Sequence, residues 1–301
     1  MEEIMKTDLR KNERIKQSRV KRNKTKIAKN ATLYVVLALM SVYFMFPYFF
    51  MIFRSVMPSW EICMIPVRFF PSEITFEGYA KMFGQHNYVR YIWNTLKMIA
   101  FNIVAVPLSS SLCAYGFAKI NFPFRKQIFA AVIATIMIPG AVTQVPLYVM
   151  FAKLGWTESV LPLTIPSLFG GGAMNIFLLI QFMKNVSNEI ENAAKIDGAN
   201  LFQRYMLIVI PLCKPIIIYI MVGVFSSGWS DFYGPLVYLK TRNNYTLALA
   251  IYYDSLTTNV SLETANVRMA AGVFMSIPTV LIFLVYQKNL IEGIQIGAVK
   301  G

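Results

Sequence analysis

Residues 187–215 read SNEIENAAKIDGANLFQRYMLIVIPLCKP: a short polar segment, a glycine, a second segment and two prolines, set between long apolar runs. Asn188 has the chemistry of a helix cap, and Glu191 three residues later completes an Asn-x-x-Glu capping box. Ile190, Ala193, Ala194 and Asp197 then share one face of that helix. Gly198 supplies the left-handed residue that ends it. Phe202, Tyr205 and Ile208 continue on a second helix that enters the apolar run at Pro211. Two alanines beside one apolar and one acidic residue make a compact knob, shaped for a groove on another protein. The same residues also describe an ordinary amphipathic helix lying on a membrane surface, and the stretch alone leaves both readings open.

The flanks decide the fold class. The chain has 301 residues, 56% hydrophobic and 15% charged, against about a quarter charged in soluble domains. The apolar residues fall in six blocks of the length that crosses a bilayer core, about 20 residues each. These are Ala31–Phe53, Met98–Ala118, Ile128–Ala152, Ser159–Met183, Pro211–Trp229 and Met269–Gln287. Only Lys214 interrupts them, close enough to one end for its ammonium to reach the interface. None alternates with period two, so the blocks read as helices and not as barrel strands. The expectation is an all-α polytopic membrane protein with six transmembrane helices. Its parts are a basic tail (1–30), a first helix (31–53), an outer loop (54–90), a five-helix core (91–287) holding the 187–215 stretch, and a C-terminal tail (288–301).

Charge sets the expected orientation. Residues 1–30 hold eleven Lys/Arg, and twenty of the chain's 29 fall on one side of the six-helix arrangement. The positive-inside rule places that side, both termini and the 187–215 stretch in the cytoplasm. The net charge of +14 therefore reads as a topology anchor against anionic lipid. A single-strand nucleic-acid surface would interleave aromatics with the bases, and the tail does not, so nucleic acid is not an expected partner. The first apolar block is too long and too far from the N-terminus for a cleavable signal peptide.

Several spans carry breaks: Pro139-Gly140 and Pro146, then Pro162, Pro166 and Gly170-Gly171-Gly172, then Pro278. Proline removes a backbone bond and kinks a helix, which suits helices that move or line a route, although membrane helices also tolerate such residues. Enzyme chemistry finds no support. The one histidine, His86, lies in an outer loop, and Cys63, Cys113 and Cys213 are far apart in the expected topology. No phosphate-binding GxxxxGK[ST] loop is present, so catalytic, metal and cofactor sites are all expected to be absent.

The 187–215 stretch resembles the EAA loop of type I ABC importer permeases. It carries Ala193-Ala194-x-x-Asp197-Gly198-Ala199, then Phe202, then Ile208-x-x-Pro211-x-x-x-Pro215. Asn192 stands where the triplet's glutamate is usual, with Glu191 just before it, and Leu207 where a basic residue is common. The carbohydrate-uptake branch, the maltose-type second permease subunit, is similar in four more places. These are Asn94-Thr95, Ala114-Tyr115-Gly116-Phe117-Ala118, Gly228-Trp229-Ser230-Asp231-Phe232 and the C-terminal Gly297-Ala298-Val299-Lys300-Gly301.

The resemblance implies a type I ABC importer permease fold and a subunit forming half of an inward route for a carbohydrate, an oligosaccharide or modified sugar. It implies four kinds of partner: a second permease, a dimer of ATP-binding subunits that hold ATP and Mg, an extracytoplasmic solute-binding protein, and membrane lipid. Glu191, Ala193, Ala194, Asp197, Gly198, Ala199, Phe202 and Pro211 would then couple the chain to the ATPase. Trp229, Asp231, Phe232, Tyr233, Tyr252 and Tyr253 would face the route or the binding protein, with the loop Leu239–Val267 reaching toward the latter. For Trp229 and its neighbours, an aromatic belt at the outer interface is the competing reading. An ion-coupled secondary transporter is the rival function; it wants ionisable groups inside the membrane, which these charge-free spans lack. The same importer class with a non-sugar solute is the nearer alternative.

Overall fold

The apolar blocks fold as helices, and two of them fold as bent pairs. The computed structural model describes residues 2–85, 87–257 and 265–298, and no strand occurs among them. Helix α1 (Glu2–Ser55) carries the basic tail and the first apolar block on one backbone. The loop after α1 holds α2 (Ser59–Ile62) and α3 (Glu77–Gln85), and α4 (Tyr88–Lys119) follows. Next come α5 (Arg125–Ala134), α6 (Gly140–Lys153), the short α7 (Leu161–Thr164) and α8 (Ala173–Lys184). The polar stretch forms α9 (Asn188–Ile196), α10 (Leu201–Arg204) and α11 (Ile210–Leu212), leading into α12 (Lys214–Ser230). After these, α13 (Tyr233–Tyr238) and α14 (Leu247–Thr257) precede α15 (Ala265–Ala298).

Among the described residues, four helical segments are long and apolar enough to cross a membrane, and up to six if each bent pair counts once. The third block breaks at Ile138-Pro139, where α5 with its terminal 3-10 turn meets α6 at 100°. Ile138 is extended (φ −80°, ψ 115°), because the proline ring clashes with a helical residue before it. The span expected over Ile128–Ala152, with its break at Pro139-Gly140, is thus a bent pair of helices. The fifth block bends by 77° between α11 and α12. Just before it the Ile210 N–H reaches back five residues to the Tyr205 carbonyl, in a π-turn over Tyr205–Val209. Pro211 and Pro215 have no N–H to continue a regular ladder here.

Helix α4 is the axis of the bundle, packed along α8 and α12, while α15 packs on α1, α3 and α12. Two apolar cores sit at opposite ends of α4. At its C-terminal end Ala114 and Tyr115 meet Leu179, Met183, Val209, Cys213 and Ile216. At its N-terminal end Tyr88, Tyr91 and Ile99 meet Trp229, Leu247, Leu249 and Ala271. The approach of the loop before α8 depends on Gly171: its φ is +61°, and a Cβ there would lie 2.5 Å from the Val106 carbonyl oxygen.

The loop after α1 is tied by Glu61, fully buried. Burial pulls its pKa up, but bonds from the Ser72 amide and hydroxyl and from Arg68 outweigh it and hold the carboxyl below its usual range. Phe69 packs on Phe50, and Phe70 on Phe53, against α1.

Candidate functional site

The 187–215 stretch is a pair of well-capped helices bolted to the end of α4. Ser187, not Asn188, caps α9, accepting the Glu189 amide at 3.1 Å. The capping box expected between Asn188 and Glu191 does not form, because both side chains serve Lys119 at the C-terminus of α4. The Lys119 Nζ donates to the Val186 carbonyl at 2.9 Å and to Asn188 Oδ1 at 3.0 Å. It also lies 2.6 Å from Glu191 Oε1, with both side chains only 7% exposed. A capping box does exist one helix later, where Asn200 Oδ1 accepts the Gln203 amide and Gln203 Oε1 accepts the Asn200 amide.

Helix α9 ends as the sequence predicts. Gly198 has φ +86° with open space around it, so it is needed for backbone conformation and not for packing. The Ala199 amide reaches the Ala194 carbonyl at 2.9 Å and the Gly198 amide reaches Lys195 at 3.2 Å, the Schellman arrangement. Ala193, Asp197 and Gly198 are exposed, and Ala194 and Ala199 half-buried. Ile190, Ile196 and Phe202 are exposed apolar side chains. Tyr205 turns inward, its hydroxyl 2.8 Å from that of Ser111, and Pro211 sits within α11 ahead of the 77° bend.

The residues expected at the outer end divide. Trp229 is a core residue, 3% exposed, with its indole N–H donated to the Met275 carbonyl on α15; the interface-belt reading fails for it. Asp231 ends α12 and accepts the Gly234 amide at 3.0 Å. Phe232 stacks on Tyr252 at 4.9 Å between centroids, Tyr252 meets Tyr253 edge-on, and Tyr253 stacks on Tyr245. The Tyr233 hydroxyl donates to Gln144 Oε1.

The loop expected to project from Leu239 to Val267 is largely folded back. Leu247 and Leu249 are fully buried, the Leu247 amide donates to Thr95 Oγ1, and Asp254 takes bonds from Arg242 and Tyr88. Residues 258–264, like His86 and residues 299–301 at the C-terminus, lie outside the described residues. Glu158, in the α6–α7 connection, clamps this loop through the Lys240 and Thr241 amides and the Thr241 hydroxyl. The Thr241 hydroxyl bond is the chief reason its carboxyl lies below the usual range.

Two clefts open along α8 and α12. One, about 510 Å³, reaches from Met98 and Asn102 to Asp231; the other, about 460 Å³, reaches down to Tyr219. Sequence reading missed Lys119, Glu158, Asn102 and Asn175. Of these Lys119 alone left a trace, as a lone cation closing an apolar block.

Comparison with known proteins agrees with this architecture. The family described as binding-protein-dependent transport system inner membrane component matches residues 105–295. The lactose transport system permease protein LacG of Rhizobium radiobacter is 27% identical, over 89% of this chain and 95% of that protein. The arabinooligosaccharides transport system permease protein AraQ of Bacillus subtilis is 27% identical, over 87% and 93%. The maltose/maltodextrin permease protein MalG of Escherichia coli is 26% identical, over 70% and 72%. A chain of a bacterial ABC transporter that imports the acidic polysaccharide alginate shares the fold, with a TM-score of 0.76 at 22% identity, over 86% of this chain and 95% of that one. Broken spans, capped helix pair and family match converge: the chain is a multi-pass membrane protein of the binding-protein-dependent transport system inner membrane component family.

Proposed function

We propose that this chain is one of two permease subunits of an ATP-driven importer that carries a saccharide into the cell, with α9 as the contact to the ATP-binding subunit. The observation that carries the reading is the construction of α9. Its exposed face, with Ile190, Ala193, Asp197 and Gly198, stays open while the opposite side is fixed to α4 by Lys119 and Glu191. A helix gripped on one side and bare on the other is suited to pass a push into the bundle. Six crossings, counting each bent pair once, with both termini in the cytoplasm, put α9 on the side where ATP is available. ATP and Mg belong to the partner subunit, and this chain contributes no catalytic group. The relatives' names run from lactose and maltodextrin to acidic alginate, so family membership leaves the charge of the sugar open. An extracytoplasmic binding protein delivers the solute, as the family description implies; the aromatic row Phe232, Tyr252 and Tyr253 is the surface offered to it.

The test is ATP hydrolysis by the reconstituted complex. Gly198→Asp forces a side chain onto a backbone with φ +86°, and Ala194→Asp adds charge to the knob. Each is expected to abolish solute-stimulated hydrolysis while the chain still inserts. Normal stimulation in both variants rejects the assignment of α9.

A further inference from the structure

The two clefts along α8 and α12 share Asn175, Val224 and Ser227, so they form consecutive parts of one groove. The chemistry of the upper wall is one-sided. Asn102 donates its amide to the Leu163 carbonyl at 3.0 Å, and Asn175 donates to the Gly171 carbonyl at 2.7 Å. These bonds fix which amide atom is oxygen in each case. Ser227 and Ser230 donate to the Val224 and Ser226 carbonyls of their own helix, as Ser167 does to Thr164. Each of these hydroxyls is spent within the protein and each amide keeps one N–H, so most of what remains on these side chains accepts hydrogen bonds. Asn102 Oδ1 is buried without a partner, an unsatisfied acceptor that costs free energy. Asp231 adds a carboxylate with one oxygen engaged by the Gly234 amide. Among the described residues, no Lys, Arg or His lines either part of the groove.

A wall with more acceptors than donors, one of them the Asp231 carboxylate, is complementary to a ligand rich in donors. Neutral sugars present many hydroxyl hydrogens, whereas a uronate brings an acceptor-only carboxylate with negative charge. That group would meet Asp231 with no cation beside it, and buried charge without a partner is costly. The upper part also lacks an aromatic platform, Tyr219 being the single ring in the groove. Weak, multi-point binding of this kind lets a solute enter and leave.

We propose that this groove is a transit site for the neutral, hydroxyl-rich units of a saccharide, and that Asp231 turns away uronate-bearing chains. The proposal rests on the importer reading and goes further, assigning substrate class and site to this chain's own residues.

The test places a reporter thiol in the groove. Ser227→Cys is introduced into the complete importer after Cys63→Ser, Cys113→Ser and Cys213→Ala remove the native thiols. Its reaction with cationic trimethylammonium-ethyl and anionic sulfonatoethyl methanethiosulfonates is measured against a free thiol. A nearby carboxylate should favour the cation by about tenfold, and adding Asp231→Asn, which keeps an acceptor for the Gly234 amide, should remove most of that preference. Maltotriose should slow the labelling and trigalacturonate should not. Equal labelling by both reagents, a preference unmoved by Asp231→Asn, or protection by trigalacturonate as good as by maltotriose overturns the proposal. Failure of the wild-type complex to import any saccharide with ATP would instead sink the importer reading.

Discussion

Lys119 and Glu191 form the pair on which the 187–215 stretch depends. Both side chains are nearly buried and 2.6 Å apart, at the point where α4 ends and the 187–215 helices begin. Bringing two charges out of water is expensive, and the pair survives because the Val186 carbonyl and Asn188 Oδ1 complete the ammonium's bonds. Removing one member leaves the other charge stranded, at a cost of about 3–5 kcal/mol, whereas replacing both with apolar side chains is far cheaper. Lys119→Met should therefore lower the thermal stability of the purified chain strongly, and Lys119→Met with Glu191→Leu should recover most of it. Thermal unfolding in detergent measures both. A double variant as unstable as the single one would mean that the bonds to Val186 and Asn188, not the ion pair, hold the joint.

Elements were legible in the sequence to different depths. The apolar blocks were plain because twenty-odd residues without charge allow few alternatives. The end of α9 was plain because Gly198 stands where a left-handed residue is needed. Direction was not legible: Pro139 announces a break, but a 100° turn depends on what α5 and α6 pack against. The start of α9 was misplaced for a related reason. Asn188 and Glu191 satisfy the capping-box pattern, yet a lysine 69 residues away in sequence competes for both side chains. At Asn200 and Gln203 the same rule succeeds, since nothing distant intervenes.

Glu158 shows the same blindness, since its partners Lys240 and Thr241 are more than eighty residues on. Its carboxyl sits below the ordinary value of 4.5 because the Thr241 hydroxyl and the Thr241 and Lys240 amides bind the charged form. A lowered folded-state pKa contributes stability that is complete above the unfolded value and is lost as pH falls through the folded one. Amide exchange at Lys240 and Thr241 should therefore be faster in Glu158→Gln than in wild type at neutral pH. The difference should close as pH drops below 4.5. A difference that persists in acid would show that the carboxylate charge is not what closes the loop.

For the whole molecule, given the proposed push on α9, the question is how it would reach the groove between α8 and α12. Helix α4 runs from one apolar core to the other, and its C-terminal end is joined to α9 by Lys119. Tyr205, on the π-turn after α10, packs on Tyr115 of α4 at 5.3 Å and meets the Ser111 hydroxyl. With contacts on both sides of the Gly198 bend, α9, α4 and the start of α12 form one unit, and interiors packed in this way transmit displacement with little compression. The motion that opens and closes the groove should then occur between this unit and the companion permease, leaving the joint between α9 and α4 closed throughout. Locking the joint tests this directly. With Lys119→Cys and Glu191→Cys joined by a short bis-methanethiosulfonate linker, in a chain freed of its native cysteines, solute-stimulated ATP hydrolysis should stay within about twofold of the unlinked double variant, since a joint that never opens loses nothing by being tied. A lock that stops hydrolysis, reversed on cleaving the linker, would show that α9 swivels against α4 during each cycle and that the bend at Gly198 is a hinge.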